Sequence, residues 1–151
     1  DVGGPPPTAL SAAATAGCLS FEFSSGVHRI VVNCGTPRIA SEALAQAARS
    51  TAAHSTMAIN ELSSCQFVTD KGFWFERTIA RWLLRRLGPV VLSGPTRVVA
   101  ERTERERVQG LNASHDGYLK AFGVRHERRW QLAPDGHILE GEDIFWGESA
   151  V

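Results

Sequence analysis

Apolar and polar positions alternate with a period of two over much of the chain. From Cys18 onward Leu19, Phe21 and Phe23 alternate with Ser20, Glu22 and Ser24, Ser25-Gly26 offers a two-residue turn, and the β-branched run 27–34 (VHRIVVNC) follows. Glycine supplies the positive φ that primed hairpin turns require. The pattern therefore predicts a hairpin in which Phe21 faces Ile30, Leu19 faces Val32 and Glu22 faces Arg29. One face of it is apolar and the other carries an opposite-charge pair, as cross-strand pairing favours. Asn33 falls on the polar face, opposite Cys18.

More strands are predicted downstream. Residues 54–61 (HSTMAINE) read as a strand with Met57 and Ile59 inward, and 96–105 and 107–118 as two more. Residues 124–132 alternate so that Val124, His126, Arg128, Trp130 and Leu132 share a face; Pro134-Asp135-Gly136 is a turn, and 137–145 closes a second hairpin. Two stretches have another period. Residues 40–50 are Ala-rich and read as a short helix or helical loop. Residues 73–87 place Trp74, Trp82, Leu83 and Leu87 near helical spacing, with Arg77, Arg81 and Arg85 at i, i+4, i+8 and a Gly88-Pro89 stop. Both tryptophans read as packing residues. Residues 1–16 have no period; they read as an extended arm, a linker or a poorly ordered stretch, with the domain proper over 17–151. Short strands with turn signals and little helix predict an all-β fold, a two-layer antiparallel β-sandwich with one short helical insertion.

Composition narrows the class. The chain has 151 residues, 43% of them hydrophobic, enough for one domain with its own core. No apolar run approaches the ~18 residues of a membrane span. Sixteen basic side chains balance sixteen acidic ones, which argues against a general nucleic-acid binder. The balance is uneven along the chain. Residues 1–70 hold three basic and five acidic groups, 71–110 nine and four, and 111–151 four and seven. The middle is an Arg-rich stripe: a solvated face, one that pairs with a neighbour, or one that holds an anionic polymer by paired hydrogen bonds. Cys18, Cys34 and Cys65 have no zinc-knuckle spacing and, being three, form no disulfide framework, although one bridge can still form. The start at Asp1, followed by GGPPP, reads as a segment of a longer protein entered through a linker.

There is no phosphate-binding glycine loop, HExxH zinc motif or GxSxG nucleophile elbow. The candidate chemistry lies in five histidines. His28 and His137 flank turns and read as solvated. His115 sits close to Asp116 and Tyr118, and His126 lies on the apolar face with Trp130. Imidazoles from different strands, with a carboxylate and a tyrosine near, suit proton abstraction or metal binding; a histidine on an apolar face equally suits a satisfied place in the core.

Three pieces in order carry a resemblance: GCLSFEFSSGVHRIVVNCGTP from Gly17, RSTAAHST around His54, and SHDGYLKAFGVRHERRWQLAPDGHILEGED ending at Asp143. Together they resemble the C-terminal domain of heparinase II/III-like proteins, bacterial polysaccharide lyases related to alginate lyases. The resemblance implies a two-layer β-sandwich preceded by an α/α toroid, an acidic polysaccharide as substrate, and a periplasmic or cell-envelope location. It implies β-elimination: a base takes the C5 proton of a uronate, a neighbour neutralises its carboxylate, and an acid protonates the leaving O4. The catalytic candidates are then His54, His115, Tyr118 and His126, and the substrate-binding candidates Asn33 and Arg125. Family lyases often read HxHxD before the first strand; here Ala13, Thr15 and Gly17 stand at those places, and Asn33 stands where an Asp ligand is typical. Thr15 and Asn33 replace imidazole and carboxylate poorly around zinc. His54 is left as the sole candidate ligand, no metal or other cofactor is expected, and the domain alone is expected to be inactive.

Overall fold

The computed structural model describes residues 1–35, 41–69, 74–105 and 107–147, with 74–77 described by backbone alone. In chain order its elements are β1 (Phe23–Ser25), β2 (His28–Val31), α1 (Glu42–Arg49), β3 (Gln66–Phe67), α2 (Trp74–Leu87), β4 (Val91–Ser93), β5 (Val98–Arg105), β6 (Val108–His115), α3 (Leu119–Phe122), β7 (Val124–Leu132) and β8 (Leu139–Gly147). Every strand pair is antiparallel: β1 with β2, β3 with β4, and β5-β6-β7-β8 as a meander. The all-β antiparallel class read from the alternation is the class observed.

The meander forms because its strands obey period two. His126, Arg128 and Trp130 of β7 are buried while their odd-numbered neighbours are not. Tight turns set the registers. Gly136 adopts φ +71° and donates to the Ala133 carbonyl at 2.9 Å, closing the expected turn between β7 and β8. The inner face is covered by the segment around Cys18 and Leu19, which packs with Ala113 and Trp130. Phe21 meets the Trp130 ring edge-on at 5.7 Å. The helices also follow their sequence signals. Ser41 accepts from Leu44 N at 3.3 Å to cap α1, and Gly88, at φ +78°, ends α2 with a bond to the Leu84 carbonyl.

Four expectations are corrected. The first hairpin turns one residue later, at Gly26-Val27: Ser25 pairs with His28, Ser24 with Arg29, and a bulge sets Phe23 opposite Val31. Phe21 therefore does not face Ile30, nor Leu19 Val32, nor Glu22 Arg29. Leu19 instead takes a left-handed φ of 62° and is fully buried beneath the meander. That conformation costs about 1–2 kcal/mol, comparable with the ~1.5–3 kcal/mol gained by burying a leucine.

The strand expected over 54–61 is absent; Asn60 and Glu61 both have positive φ, and Ile59 bridges only to Leu62. Met57 is 39% exposed. The last part of the arm expected over 1–16, from Ser11 to Ala16, packs into the body, while residues 1–10 are mostly exposed. Ser11 and Ala16 are fully buried, and Arg49 donates to the carbonyls of Ala14 at 2.7 Å and Ser11 at 3.1 Å, and also to that of Pro89. Hydrogen bonds to a buried arginine, invisible to hydrophobic periodicity, hold this segment. Finally, Trp82 is no packing residue, being 58% exposed; the side chain of Trp74 lies outside the described residues. All three cysteines are free.

Candidate functional site

Two groups of predicted residues come together. The first is built by the registers of β6, β7 and β8. His115 lies opposite His126 across β6 and β7, and Arg128 opposite Asp143 across β7 and β8. The inner face thus carries two imidazoles, a guanidinium and a carboxylate in one line. His115 and His126 are 1% and 0% exposed.

The hydrogen bonds in this line run in one direction. Gly117 N–H donates to His115 Nδ1 at 3.0 Å, so the proton of neutral His115 sits on Nε2. That N–H donates to His126 Nδ1 at 3.2 Å, and His126 Nε2–H donates to Asp143 Oδ1 at 2.6 Å. Arg128 completes the line with a fork: Nε reaches Asp143 Oδ1 at 2.6 Å and Nη2 reaches Oδ2 at 2.7 Å. Its Nη1 donates to the Leu19 carbonyl at 3.0 Å and to that of Ser55. His126 also stacks on Phe145 at 5.0 Å.

The electrostatics follow from this placement. Burial, with His126 alongside, pushes His115 down to about 4, so it is neutral near pH 7. Burial would raise Asp143, but hydrogen bonds from His126 and Arg128 and the charge of Arg128 outweigh it and hold the carboxyl down to about 2. Tyr118 is 1% exposed and donates to the Met57 carbonyl at 2.7 Å; burial pushes its phenol up to about 12. Its ring lies 5.5 Å from that of His115. A general base needs a lone pair aimed at the proton it takes. The lone pair of His115 is occupied by Gly117, and that of His126 by His115. Arg128 and Asp143 were not singled out from sequence. The shared face of His126, Arg128 and Trp130 hinted at the arginine, but Asp143 needed the β7–β8 register.

The second group gathers His54, Asn33 and Gly17. His54 Nδ1 bonds the Ser50 carbonyl at 2.8 Å, which places its proton there and leaves Nε2 as the lone-pair nitrogen. Asn33 Oδ1 accepts from Ser55 N at 2.8 Å, beside His54. Gly17 lies against the imidazole, where an added Cβ would come within 2.8 Å of His54 Cδ2. Ser55 links the two groups, since its carbonyl accepts from Arg128. The donor set does not fit a transition metal. Ala13 and Gly17 bring no donor, Thr15 and Asn33 only neutral oxygens, and the Asn33 oxygen is engaged. Among the described residues no three His, Cys, Asp or Glu groups are placed to hold a metal ion.

Arg125 belongs to neither group. It lies on β7 opposite Trp146, on the outer face. There Glu127 accepts from Trp146 Nε1 and Arg129 Nε, each at 2.7 Å. His28 and His137 are exposed, as expected. A cleft of about 710 Å³ opens beside the first group, lined among others by Ser63, Cys65, Asp116, Tyr118, Lys120 and Phe122. Asp116 is occupied, accepting from Thr96 N at 2.8 Å, Thr96 Oγ1 at 2.6 Å and Arg97 N at 3.0 Å.

The sequence is 30% identical over 144 residues to FtsZ-localized protein C of Caulobacter vibrioides (strain NA1000 / CB15N). That alignment covers 95% of this chain and 22% of the relative, so the chain spans about a fifth of the relative's length. No solved structure matches. The profile of the family described as "Heparinase II/III-like, C-terminal" matches residues 1–150. With its antiparallel all-β fold, the chain belongs to the heparinase II/III-like family, as that family's C-terminal domain.

Proposed function

We propose that this chain is the β-domain of a polysaccharide lyase-related protein and supplies packing and substrate-side contacts, not the catalytic base. One observation carries this reading. The line from Gly117 through His115 and His126 to Asp143 and Arg128 uses both imidazole lone pairs internally. In the parent, uronic-acid polysaccharide would be cut by β-elimination with the base and acid supplied from an α/α toroid outside this chain. His54, whose Nε2 has no hydrogen-bond partner among the described residues, and neighbouring Asn33 are the substrate-side candidates.

A second reading has its own support. Gly17 fills the space beside His54 where the resemblance places a ligand, and Asn33 is tied to Ser55. This suits a non-catalytic carbohydrate-binding or interdomain packing module in a family member that has lost the lyase reaction. The name of the Caulobacter relative, which refers to localisation with FtsZ, is compatible with that reading.

Ultraviolet absorbance of unsaturated uronate separates the two. The parent and this chain are each incubated with heparan, hyaluronan, alginate and polygalacturonate. Product from the parent on at least one polymer, and none from this chain alone, is the expected result. Failure of the parent on all four selects the non-catalytic module; product from this chain alone overturns both.

A further inference from the structure

The sugar reading leaves α2 without a use. Its 14 residues hold four arginines and one glutamate. A helix on the surface of a small domain normally turns its large apolar side chains toward the core. Here Ala80, Leu83, Leu84 and Leu87 are half-buried, while Ile79 is 61% and Trp82 58% exposed. At 3.6 residues per turn Trp82 lies between Arg85 on one side and Arg86 and Ile79 on the other. Ile79 also borders an apolar groove of about 360 Å³ with Phe67, Val68, Leu83 and Leu92, and Leu92 is 55% exposed. The result is a contiguous apolar ridge fringed by exposed arginines, in the block where nine basic groups face four acidic ones.

We infer that this side of α2 docks on an anionic lipid surface. A helix with Trp and aliphatic groups at one level and arginines beside them matches the headgroup–acyl boundary, where the ring and aliphatic chains enter and the guanidiniums stay with phosphate. Charge complementarity selects the anionic surface. A soluble polyanion would engage the arginines but gives Ile79 and Leu92 nothing to bury against. No helix among the described residues is long and apolar enough to cross a membrane, so the contact is peripheral. The inference is independent of whether the parent cuts sugar.

The test is flotation of the full chain with vesicles of phosphatidylcholine alone or mixed with phosphatidylglycerol. The expected result is binding to the mixed vesicles only, weakened about tenfold or more by raising salt above physiological strength. Trp82→Glu and the double change Arg81→Glu/Arg85→Glu should each reduce it about tenfold or more, with circular dichroism like wild type. Lack of flotation with the mixed vesicles overturns the inference. So does flotation undiminished by either variant, or binding to soluble polygalacturonate without vesicle binding. If Trp82→Glu fails to fold, brominated lipids in the mixed vesicles decide with the wild-type chain: quenched tryptophan fluorescence supports docking, and unquenched fluorescence overturns it.

Discussion

His115 Nε2 lies 3.2 Å from His126 Nδ1, and only one choice of tautomers satisfies both rings. Because Gly117 already donates to His115 Nδ1, the proton between the rings must belong to His115. His126 is thereby made a donor to Asp143. A backbone N–H just past β6 thus fixes the protonation pattern of a line that ends two strands away, at the Asp143–Arg128 fork between β8 and β7.

The first consequence is a pH dependence of stability. The folded value of His115 is depressed from 6.5 to about 4, so between these limits the unfolded chain binds the extra proton and the folded chain does not. The stabilisation is fully present above about 6.5 and is lost as pH falls toward 4. Its upper bound is about 3 kcal/mol. Asp143 adds a loss at lower pH, from its unfolded value of 3.8 down to about 2. Denaturant unfolding from pH 7.5 to 4 should show the first loss, and His115→Gln should flatten it. An unchanged slope in that variant would assign the loss elsewhere.

Asp143→Asn should destabilise strongly. Arg128 is 7% exposed, and its charge would lose the carboxylate that faces it in a fork. Uncompensated buried charges cost about 3–5 kcal/mol. Arg128→Met should also destabilise, since it frees the Leu19 and Ser55 carbonyls as well as Asp143, and the double variant Arg128→Met/Asp143→Asn should lose less than the sum of the two single losses. Thermal melts of the single and double variants measure that coupling, and strictly additive losses would contradict the pairing.

Gly17→Ala should cost about 1–3 kcal/mol, because the new methyl overlaps the His54 ring. His54→Ala in the same chain should recover part of that cost. The coupling in a double-mutant cycle is the quantity to read; strictly additive effects would mean that the ring and Gly17 are not in contact.

Arg49→Met should loosen residues 11–16 before the rest of the domain. It removes three carbonyl partners and the stacking of the guanidinium on Phe67 at 4.2 Å. Amide hydrogen exchange should accelerate at Ala14 and Ala16 with little change in β6 and β7. Uniform acceleration across both would indicate global destabilisation instead.

Much of this was legible in the residues. Period two alone located β7 and placed His126, Arg128 and Trp130 on one face, because successive strand side chains must point to opposite sides. Pro134-Asp135-Gly136 set the turn into β8, and Gly88 ended α2, since only glycine adopts positive φ without strain. His54 and Asn33, each a site candidate from the sequence, lie next to each other through Ser55.

Other features could not be read from a linear pattern. The hairpin of β1 and β2 follows a register set by burial of Leu19 under a distant sheet, which outweighed local alternation. Residues 54–61 lack a ladder because their backbone groups serve side chains far away, among them Tyr118 and Arg128. The sequence by itself determined the antiparallel class, the buried face of β7 and the Pro134-Asp135-Gly136 turn, all of which depend on nearest-neighbour geometry. Only the tertiary structure decided that Asp143 and Arg128 complete the histidine line, that Arg49 anchors the stretch from Ser11 to Ala14, and that Trp82 faces outward. Each of these depends on groups far apart in sequence, whose hydrogen bonds and burial exist only once the sheet has closed over them.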